Sequence, residues 1–389
     1  MSRYLIKLKP LDKFFFGGNI TFGEGEDSKY LVKSNLFPQQ TQILGMLRRE
    51  LLVQNKLLTL KRKGEWVGNS KVNDKAVQRA KELVGEQKFD LINKNFDLKK
   101  IKEISPVFLV DNQNRYYQKS RKDYGFELEE KAGKSFATNE SNNLYLLRDT
   151  EKNSYFNAKD GLKDIFLSSD EAVEKNILSP KECEFNRCSD CVFIADEKIG
   201  IQKSKDGKSE DKAFFKMTSY RLNSKFRFAF IVDFDDEIKI DSEKELENSI
   251  VYLGAERSSF KLEVQKIDKS FEDIFAKEQK SKRSKLTLLG DSYLDMEDLK
   301  ILYKKSYFQI SNSIDFQYIQ SESKKRNKDE DTIYSFEKSS KYNLIERGSV
   351  FYIKNEDIED IEKLFNKYKT FTKIGYNRYI ITKGDEDEK

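Results

Sequence analysis

Tyr4-Leu5-Ile6-Lys7-Leu8-Lys9, then Phe14-Phe15-Phe16-Gly17-Gly18 and Phe22-Gly23, then Phe37-Pro38-Gln39-Gln40-Thr41-Gln42-Ile43-Leu44-Gly45-Met46-Leu47-Arg48-Arg49-Glu50-Leu51-Leu52: these runs open the chain. The first reads as a short strand. The second lies in a long loop, Pro10 to Asn35. The third predicts a helix, because Ile43, Leu44, Met46, Leu47, Leu51 and Leu52 recur at helical spacing and make one apolar face. Pro38 suits a first helical turn, where its missing N–H costs nothing. Ser34 or Asn35 is placed to cap the helix. Glycines let a backbone approach a ligand closely, and the free N–H groups of a helix start attract phosphate. The pattern leaves two readings: the start of a nucleotide- or nucleic-acid-binding domain, or a plain β-loop-α unit with a long loop.

Composition narrows the class. The 389 residues suffice for about two or three domains, each with a sizeable core. Charged residues are 36% of the chain and the mean hydropathy is −0.75, so a soluble protein is expected. No apolar run approaches the ~20 residues of a membrane span. Met1-Ser2-Arg3-Tyr4 leads straight into a strand without an apolar signal region. The expected location is the cytoplasm, with no membrane partner. Net charge is 72 − 67 = +5, too weak by itself to require nucleic acid, so the clustering of the lysines decides.

There is no histidine. Histidine is the usual acid/base near neutral pH and the commonest metal ligand. Its absence removes Ser-His-Asp and Cys-His triads and lowers the expectation of an enzyme. The three cysteines, Cys183, Cys188 and Cys191, include a CxxC, but a closed zinc site needs four ligands. Asp190, Asp196 or a partner would have to complete it. Three thiols in a cytosolic loop is the favoured reading, with no metal and no cofactor, and the odd count argues against a disulfide framework.

Along the chain, Asn73 to Val84 predicts a helix ended by Gly85. Ile104 to Val110 predicts a strand, with Pro106 marking an edge; Asp111-Asn112-Gln113-Asn114 turns, and Arg115 to Lys119 returns. Further expectations are a strand over Tyr145–Arg148 and a helix over Asp160–Leu167. Ile199-Gly200-Ile201-Gln202-Lys203 and Ala213–Tyr220 form a hairpin through Asp206-Gly207. In Lys225–Asp235, Phe226, Phe228, Phe230, Val232 and Phe234 alternate with other residues and Ala229 and Ile231 fall between them, as in a strand buried on both faces. Glu243–Asn248 predicts a short helix, and Ile250–Leu253 and Lys261–Ile267 predict strands flanking Gly254-Ala255-Glu256-Arg257. Lys269–Lys285 reads as a charged, mobile or helical stretch. Leu286–Tyr293 is a strand, Met296–Tyr303 a helix and Tyr307–Gln320 β-structure. Ser321–Asp331 reads as a charge-rich solvent loop. Tyr342–Lys354 is a hairpin turning at Arg347-Gly348, Ile358–Tyr368 an amphipathic helix and Ile374–Thr382 a last strand, before a disordered tail. Strands interleaved with a few helices define an α+β class.

The order of these motifs resembles the RAMP-superfamily subunit of type III-B (Cmr) CRISPR ribonucleoproteins that sits at the crRNA five-prime tag. The residues that carry the resemblance are Lys9-Pro10-Leu11-Asp12, Phe15-Phe16-Gly17-Gly18, Phe22-Gly23, Ser34-Asn35-Leu36-Phe37-Pro38-Gln39-Gln40-Thr41 and Leu44-Gly45-Met46-Leu47-Arg48. Later come Ile199-Gly200-Ile201 with its Lys-rich hairpin, Val251-Tyr252-Leu253-Gly254-Ala255-Glu256-Arg257, and Arg347-Gly348-Ser349-Val350-Phe351-Tyr352. The resemblance implies two ferredoxin-like (RRM-like) RAMP domains with insertions and long β-hairpins. They are expected over residues 1–220 and 221–383, with 384–389 as the tail.

Four places are candidates for RNA contact. At the first, the helix start Gln39, Gln40 and Thr41 grips phosphate beside Gly17 and Gly18, Phe15 or Phe16 stacks on a base, and Arg48 adds charge or holds a neighbouring loop. The competing reading puts the phenylalanines in the core, and at least one is expected there. The second is the hairpin Lys203, Lys205, Lys208 and Lys212 with Phe214, lysines beside an aromatic as on a single-stranded RNA track; charge alone reads equally as a solvated tip. The third is Arg257, either on phosphate or in an ion pair with Glu256. The fourth is Arg378 in Lys373-Ile374-Gly375-Tyr376-Asn377-Arg378, where the family's glycine-rich loop keeps only Gly375. The resemblance implies a non-catalytic subunit that holds the crRNA tag in antiviral defence, partnered by the large palm-domain subunit and a backbone RAMP subunit. The competing classes are a metal-independent endoribonuclease using Tyr30 or Lys33, and a protein-only scaffold.

Overall fold

In the computed structural model the opening strand, β1 (Ser2–Pro10), buries Tyr4, Leu5, Ile6 and Leu8 and turns Lys7 and Lys9 outward. The structure describes residues 2–18, 20–21, 30–57, 74–86, 90–92, 97–119, 121–123, 126–128, 147–149, 154–155, 166–168, 192–203, 209–235, 249–254, 256–275, 283–326 and 332–384. The chain forms two compact units. One comprises Met1–Gln87, Asp97–Tyr116 and Ile177–Asp268; the other comprises Lys88–Phe96, Tyr117–Asn176 and Lys269–Lys389. Residue 220, where the sequence places a boundary, lies inside the first unit.

In the first unit, β1 is followed by β2 (Tyr30–Lys33), α1 (Gln40–Gln54) and α2 (Asp74–Val84). Then come β3 (Ile101–Ile104), β4 (Phe108–Asp111), β5 (Phe193–Lys203), β6 (Ser209–Leu222), β7 (Phe226–Phe234), β8 (Ile250–Leu253) and β9 (Ser258–Lys266). One sheet runs β4-β7-β1-β9-β8, all antiparallel, with β3 also on β7. As its apolar residues on both faces imply, β7 is buried along nearly its whole length, Asp233 included. A second sheet joins the β5–β6 hairpin to β2 in parallel and to the two-residue strand Ile20–Thr21. The expected open loop from Pro10 to Asn35 therefore contains two short strands. The predicted strand Ile104–Val110 is broken at Ser105-Pro106-Val107. There Ser105 pairs with Ile231 through both its N–H (2.8 Å) and its hydroxyl (2.8 Å). Gly85, at φ +83°, stops α2 as read from the sequence.

The second unit contains β10 (Lys285–Leu288), α3 (Met296–Lys305), β11 (Ser306–Ile310), β12 (Ser313–Phe316), β13 (Ile319–Arg326) and β14 (Thr332–Lys338). It ends with β15 (Tyr342–Ile345), β16 (Val350–Ile353), α4 (Ile358–Asn366) and β17 (Tyr379–Thr382). Its main sheet runs β11-β16-β10-β17, again antiparallel. Leu286, Leu288, Leu302, Phe351, Ile361, Leu364 and Phe365 close the core between that sheet and α3 and α4. The order is β-α-β-β-α-β, with strands arranged second, third, first, fourth. Taking β1, β4, β7 and β9 as the four, the first unit's sheet has the same strand order.

Several sequence expectations change here. Tyr342–Lys354 is not a hairpin: β15 pairs with β12, whereas β16 lies between β11 and β10. The arms diverge because the turn is tied to a third segment. The Arg347 N–H and guanidinium both reach Asp291 (2.9 Å each), Ser292 pairs with Ile345, and the Gly348 N–H donates to the Leu288 carbonyl (2.7 Å). Part of the expected solvent loop 321–331 is strand: β13 pairs with β14, Lys324 opposite Tyr334. Leu286–Tyr293 shortens to β10. The last strand starts only at Tyr379, because Gly375 (φ +92°) and Asn377 (φ +54°) are incompatible with extended backbone. Within Lys269–Lys285, Phe271–Phe275 is helical. Phe166–Ser168 is strand where a helix was expected, and Leu147–Asp149 is the strand nearest the one predicted from Tyr145. Glu243–Asn248, the three cysteines and residues 385–389 lie outside the described residues. No helix among the described residues is long and apolar enough to cross a membrane.

A buried charge network marks the second unit. Lys119 and Lys122 both bond Glu346 (Lys122 at 2.8 Å). Burial alone would raise the Glu346 carboxyl; the two ammonium groups override it and hold it down at about 2. A carboxylate depressed in the folded state stabilises above its unfolded value of 4.5 and loses that contribution as pH falls toward 2. The drop corresponds to about 3 kcal/mol. Urea midpoints should therefore fall between pH 4.5 and 2, and Glu346→Gln should flatten that limb. An acid limb identical in the two proteins would remove Glu346 as its cause.

Candidate nucleic-acid interface

The loop between β1 and β2 gathers four sequence-distant segments. Phe14 exchanges backbone hydrogen bonds with Tyr220 on β6 (2.8 and 3.1 Å). The Phe15 N–H donates to the Ser258 hydroxyl (3.0 Å) and the Phe16 N–H to the Ser34 hydroxyl (2.9 Å). The Phe16 carbonyl accepts from Gln42 Nε2 (2.9 Å), and the Gly17 carbonyl accepts from the Asn35 N–H (2.7 Å). Hydroxyls and an amide thus satisfy a backbone that leaves the ladder, as buried polar groups require.

Two glycines make that convergence possible. At Gly18 an added Cβ would stand 1.7 Å from the Lys33 carbonyl oxygen. At Gly254 (φ +80°) it would stand 2.1 Å from the Phe15 carbonyl oxygen. The close approach expected toward a ligand is therefore, at these two positions, an approach of the protein to itself. Gly17 differs: φ is +83° and nothing lies within 4 Å of the Cβ direction.

The phenylalanines go inward. Phe16 is 1% exposed and stacks on Phe260 (5.8 Å between centroids), with Phe14 at 4.6 Å and Phe228 at 5.5 Å. Phe15 is 8% exposed. Neither ring is offered to a base: Phe16 belongs to the aromatic cluster under the loop and Phe15 is buried. The helix start also differs from the expectation. Gln39 is the N-cap, and its N–H donates to the Gln42 side chain (3.3 Å). Ser34, the expected cap, serves Phe16 instead. Gln40 is buried, and its Nε2 donates to the Ser105 carbonyl (2.7 Å), so it is not a surface contact. Gln39 and Thr41 are half-buried. Arg48 donates to the Glu86 carbonyl just past α2. Burial lowers its pKa, and its role is the neighbouring connection rather than the surface.

Solvent meets the cluster at Gly17, Lys33, Asn35, Glu256 and Arg257. The last two form no ion pair with each other, and Arg257 is exposed in a turn at φ +50°, its N–H bonded to the Gly254 carbonyl (3.2 Å). Among the described residues no carboxylate neutralises Arg257 or Lys33. Lys33 and Asn35 were not read as RNA contacts; their alternation beside the buried Ser34 was the available signal.

The hairpin exists, with Lys203 on β5 and Lys212 and Phe214 on β6; Ile201 stands opposite Phe214. Lys205 and Lys208 lie outside the described residues. At its base Lys216 pairs with Glu197 (2.9 Å). Asp196, considered as a zinc ligand, instead receives Lys13 (2.9 Å) and Arg221 (3.2 Å). The Lys13 hydrogen bond first, then Arg221, holds the Asp196 carboxyl below its usual range. Arg378 is not available for phosphate: it pairs with Glu272 (3.0 Å), and burial pushes it down to about 10. Beside it, Asn377 clasps Tyr293 through both backbone groups (2.7 and 2.8 Å). The Gly375 loop is a structural plug.

The geometry defines an α+β chain with antiparallel main sheets and a glycine-backed loop cluster that leaves cations at its surface. The family model described as CRISPR-associated protein (Cas_Cmr3) matches residues 6–383. The chain belongs to this Cmr3 family and is a type III-B (Cmr) CRISPR subunit. No curated protein sequence matches it. Among solved structures it is similar to a chain of the type III-B Cmr-beta complex bound to cognate target RNA. The identity is 15%, with 98% of this chain and 99% of that chain covered and a TM-score of 0.47. It is also similar to a chain of the same complex with target RNA and AMPPnP, at 15% identity, 98% and 99% coverage and a TM-score of 0.46. A chain of the Csm1-Csm4 cassette in complex with pppApA matches at 10% identity, 90% and 87% coverage and a TM-score of 0.34.

Proposed function

We propose that the chain holds the five-prime tag of crRNA and does not cut it, linking the large palm-domain subunit to the backbone subunits of its effector complex. The observation that carries this reading is the convergence of residues 14–18, 33–35 and 254–257 on one surface with Lys33 and Arg257, cations that no carboxylate neutralises among the described residues. An open backbone at Gly17, next to the segments that carry these two cations, suits a phosphate. The shared strand order, second-third-first-fourth, supports two ferredoxin-like units, a frame in which sheets and loops bind single strands. The absence of histidine supports holding over cleavage, since acid/base work favours a group titrating near the working pH.

The test is an anisotropy titration of labelled crRNA with and without its tag. Tagged RNA should bind more tightly. Arg257→Glu should weaken it about tenfold and lower the salt slope by ~0.7, one phosphate contact on a single strand. Equal binding of both RNAs with an unchanged slope would replace the tag reading by a scaffold role, and metal-free cleavage of the RNA would replace it by an endoribonuclease.

A further inference from the structure

On the solvent face of the first unit's sheet, Lys9 of β1 stands directly opposite Lys261 of β9. Like charges at opposed positions destabilise a sheet. Lys9 is exposed and Lys261 half-buried, and neither meets a carboxylate among the described residues. The charges around them are accounted for. Lys7, one row along, donates to Asn114 Oδ1 (2.8 Å) and Gln265 Oε1 (3.2 Å). Glu263, opposite Lys7, lies 3.6 Å from the Arg227 guanidinium. Among the described residues the lysine pair is thus uncompensated, and the register of two strands holds it together.

Beside it are large exposed side chains. On β8, Ile250 stands opposite Lys261 and Tyr252 opposite Ser259. They are 53% and 51% exposed, and Leu11, bonded through its N–H to the Ser259 carbonyl (3.0 Å), is 52% exposed. Tyr252 and Lys261 are diagonal neighbours, roughly 7–8 Å apart between backbones. Protein interfaces are depleted in lysine at their centres; a lysine pair next to an open tyrosine is instead the pairing of charge and stacking platform that single strands use. We infer that this face binds single-stranded RNA, with Lys9 and Lys261 sharing one phosphate and Tyr252 stacking the adjoining base. This rests on the RNA-binding reading and goes beyond it: the contact is on the sheet, not in the loop cluster. The turn carrying Arg257 joins β8 to β9.

The experiment uses the full chain and a fluorescein-labelled tagged crRNA over a range of salt. Lys9→Glu with Lys261→Glu should weaken binding about tenfold and lower the salt slope. Tyr252→Ala should weaken it with the slope unchanged, and Tyr252→Phe should bind as the unaltered chain does, because stacking needs the ring and not the hydroxyl. Lys9→Gln with Lys261→Gln should lose affinity while keeping the melting temperature or raising it, which separates an RNA role from a structural one. Unaltered affinity and slope in the double charge reversal, while Arg257→Glu still weakens binding, overturn this inference alone. If the unaltered chain binds no RNA, both readings fall. Normal RNA binding with lost assembly onto other subunits would make the face a protein interface and likewise overturn the inference.

Discussion

Gly18→Ala is expected to destabilise the first unit by about 3 kcal/mol or more, the upper range for forcing atoms into a packed site. The added methyl would stand 1.7 Å from the Lys33 carbonyl oxygen and 2.9 Å from its carbon. Both are backbone, so no side chain can swing aside. Relief requires moving β2 away from the loop, which breaks the Asn35 to Gly17 hydrogen bond (2.7 Å) and strains the Ser34 contacts to Phe16 and Thr218. Gly17→Ala is the internal control. It has open space and loses only the freedom of a left-handed backbone, about 1–2 kcal/mol. Urea midpoints of the two variants decide the matter. Equal losses, or a larger loss at Gly17, would mean that the loop is not seated against Lys33 as described.

Asp123→Ala should cost the second unit about 3–5 kcal/mol, as removing one partner of a buried ion pair does. Asp123 accepts from Lys285 Nζ (2.7 Å) and from the Tyr352 hydroxyl (2.9 Å), and Arg121 lies 3.2 Å away. Burial opposes its charge, but Arg121 and Lys285 outweigh burial and hold the carboxyl below its ordinary value. Without it, Lys285, 7% exposed and already lowered by burial, becomes an unpaired buried cation. The damage is therefore mostly desolvation and not lost attraction. Asp123→Ala with Lys285→Met should recover much of the stability, because both charges then leave the interior. If the double variant is as unstable as Asp123→Ala, the loss comes from packing and the ion-pair account fails.

Much of the fold was legible locally. β1, α1, β7 and α4 each announced themselves by periodicity, since the face a segment buries is written in its own spacing. Gly85 marked the stop of α2, where φ is +83°. Misread segments were those whose partners are remote. Residues 342–354 carry two strand signals around a turn, but nothing local says that Asp291 and Ser292 capture that turn and send the arms to different strands. Residues 321–326 are charged enough to read as a loop and become strand only against β14.

The candidate site divides in the same way. From the sequence came the candidate stretches, the Phe/Gly loop, the helix start and the Gly254–Arg257 turn, together with the class, since motif order pointed to a type III-B CRISPR subunit. Only the tertiary structure decided what each residue does there. Phe16 faces Phe260 and Phe228, Gln40 turns in to Ser105, and Arg378 meets Glu272, while Arg257 and the Lys9–Lys261 pair are left without counter-ions among the described residues. The physical reason is that a charge or a ring is available to a ligand only if no distant segment has already taken it. Composition and spacing determine which groups a chain possesses; long-range register and burial determine which of them remain unpaired at its surface.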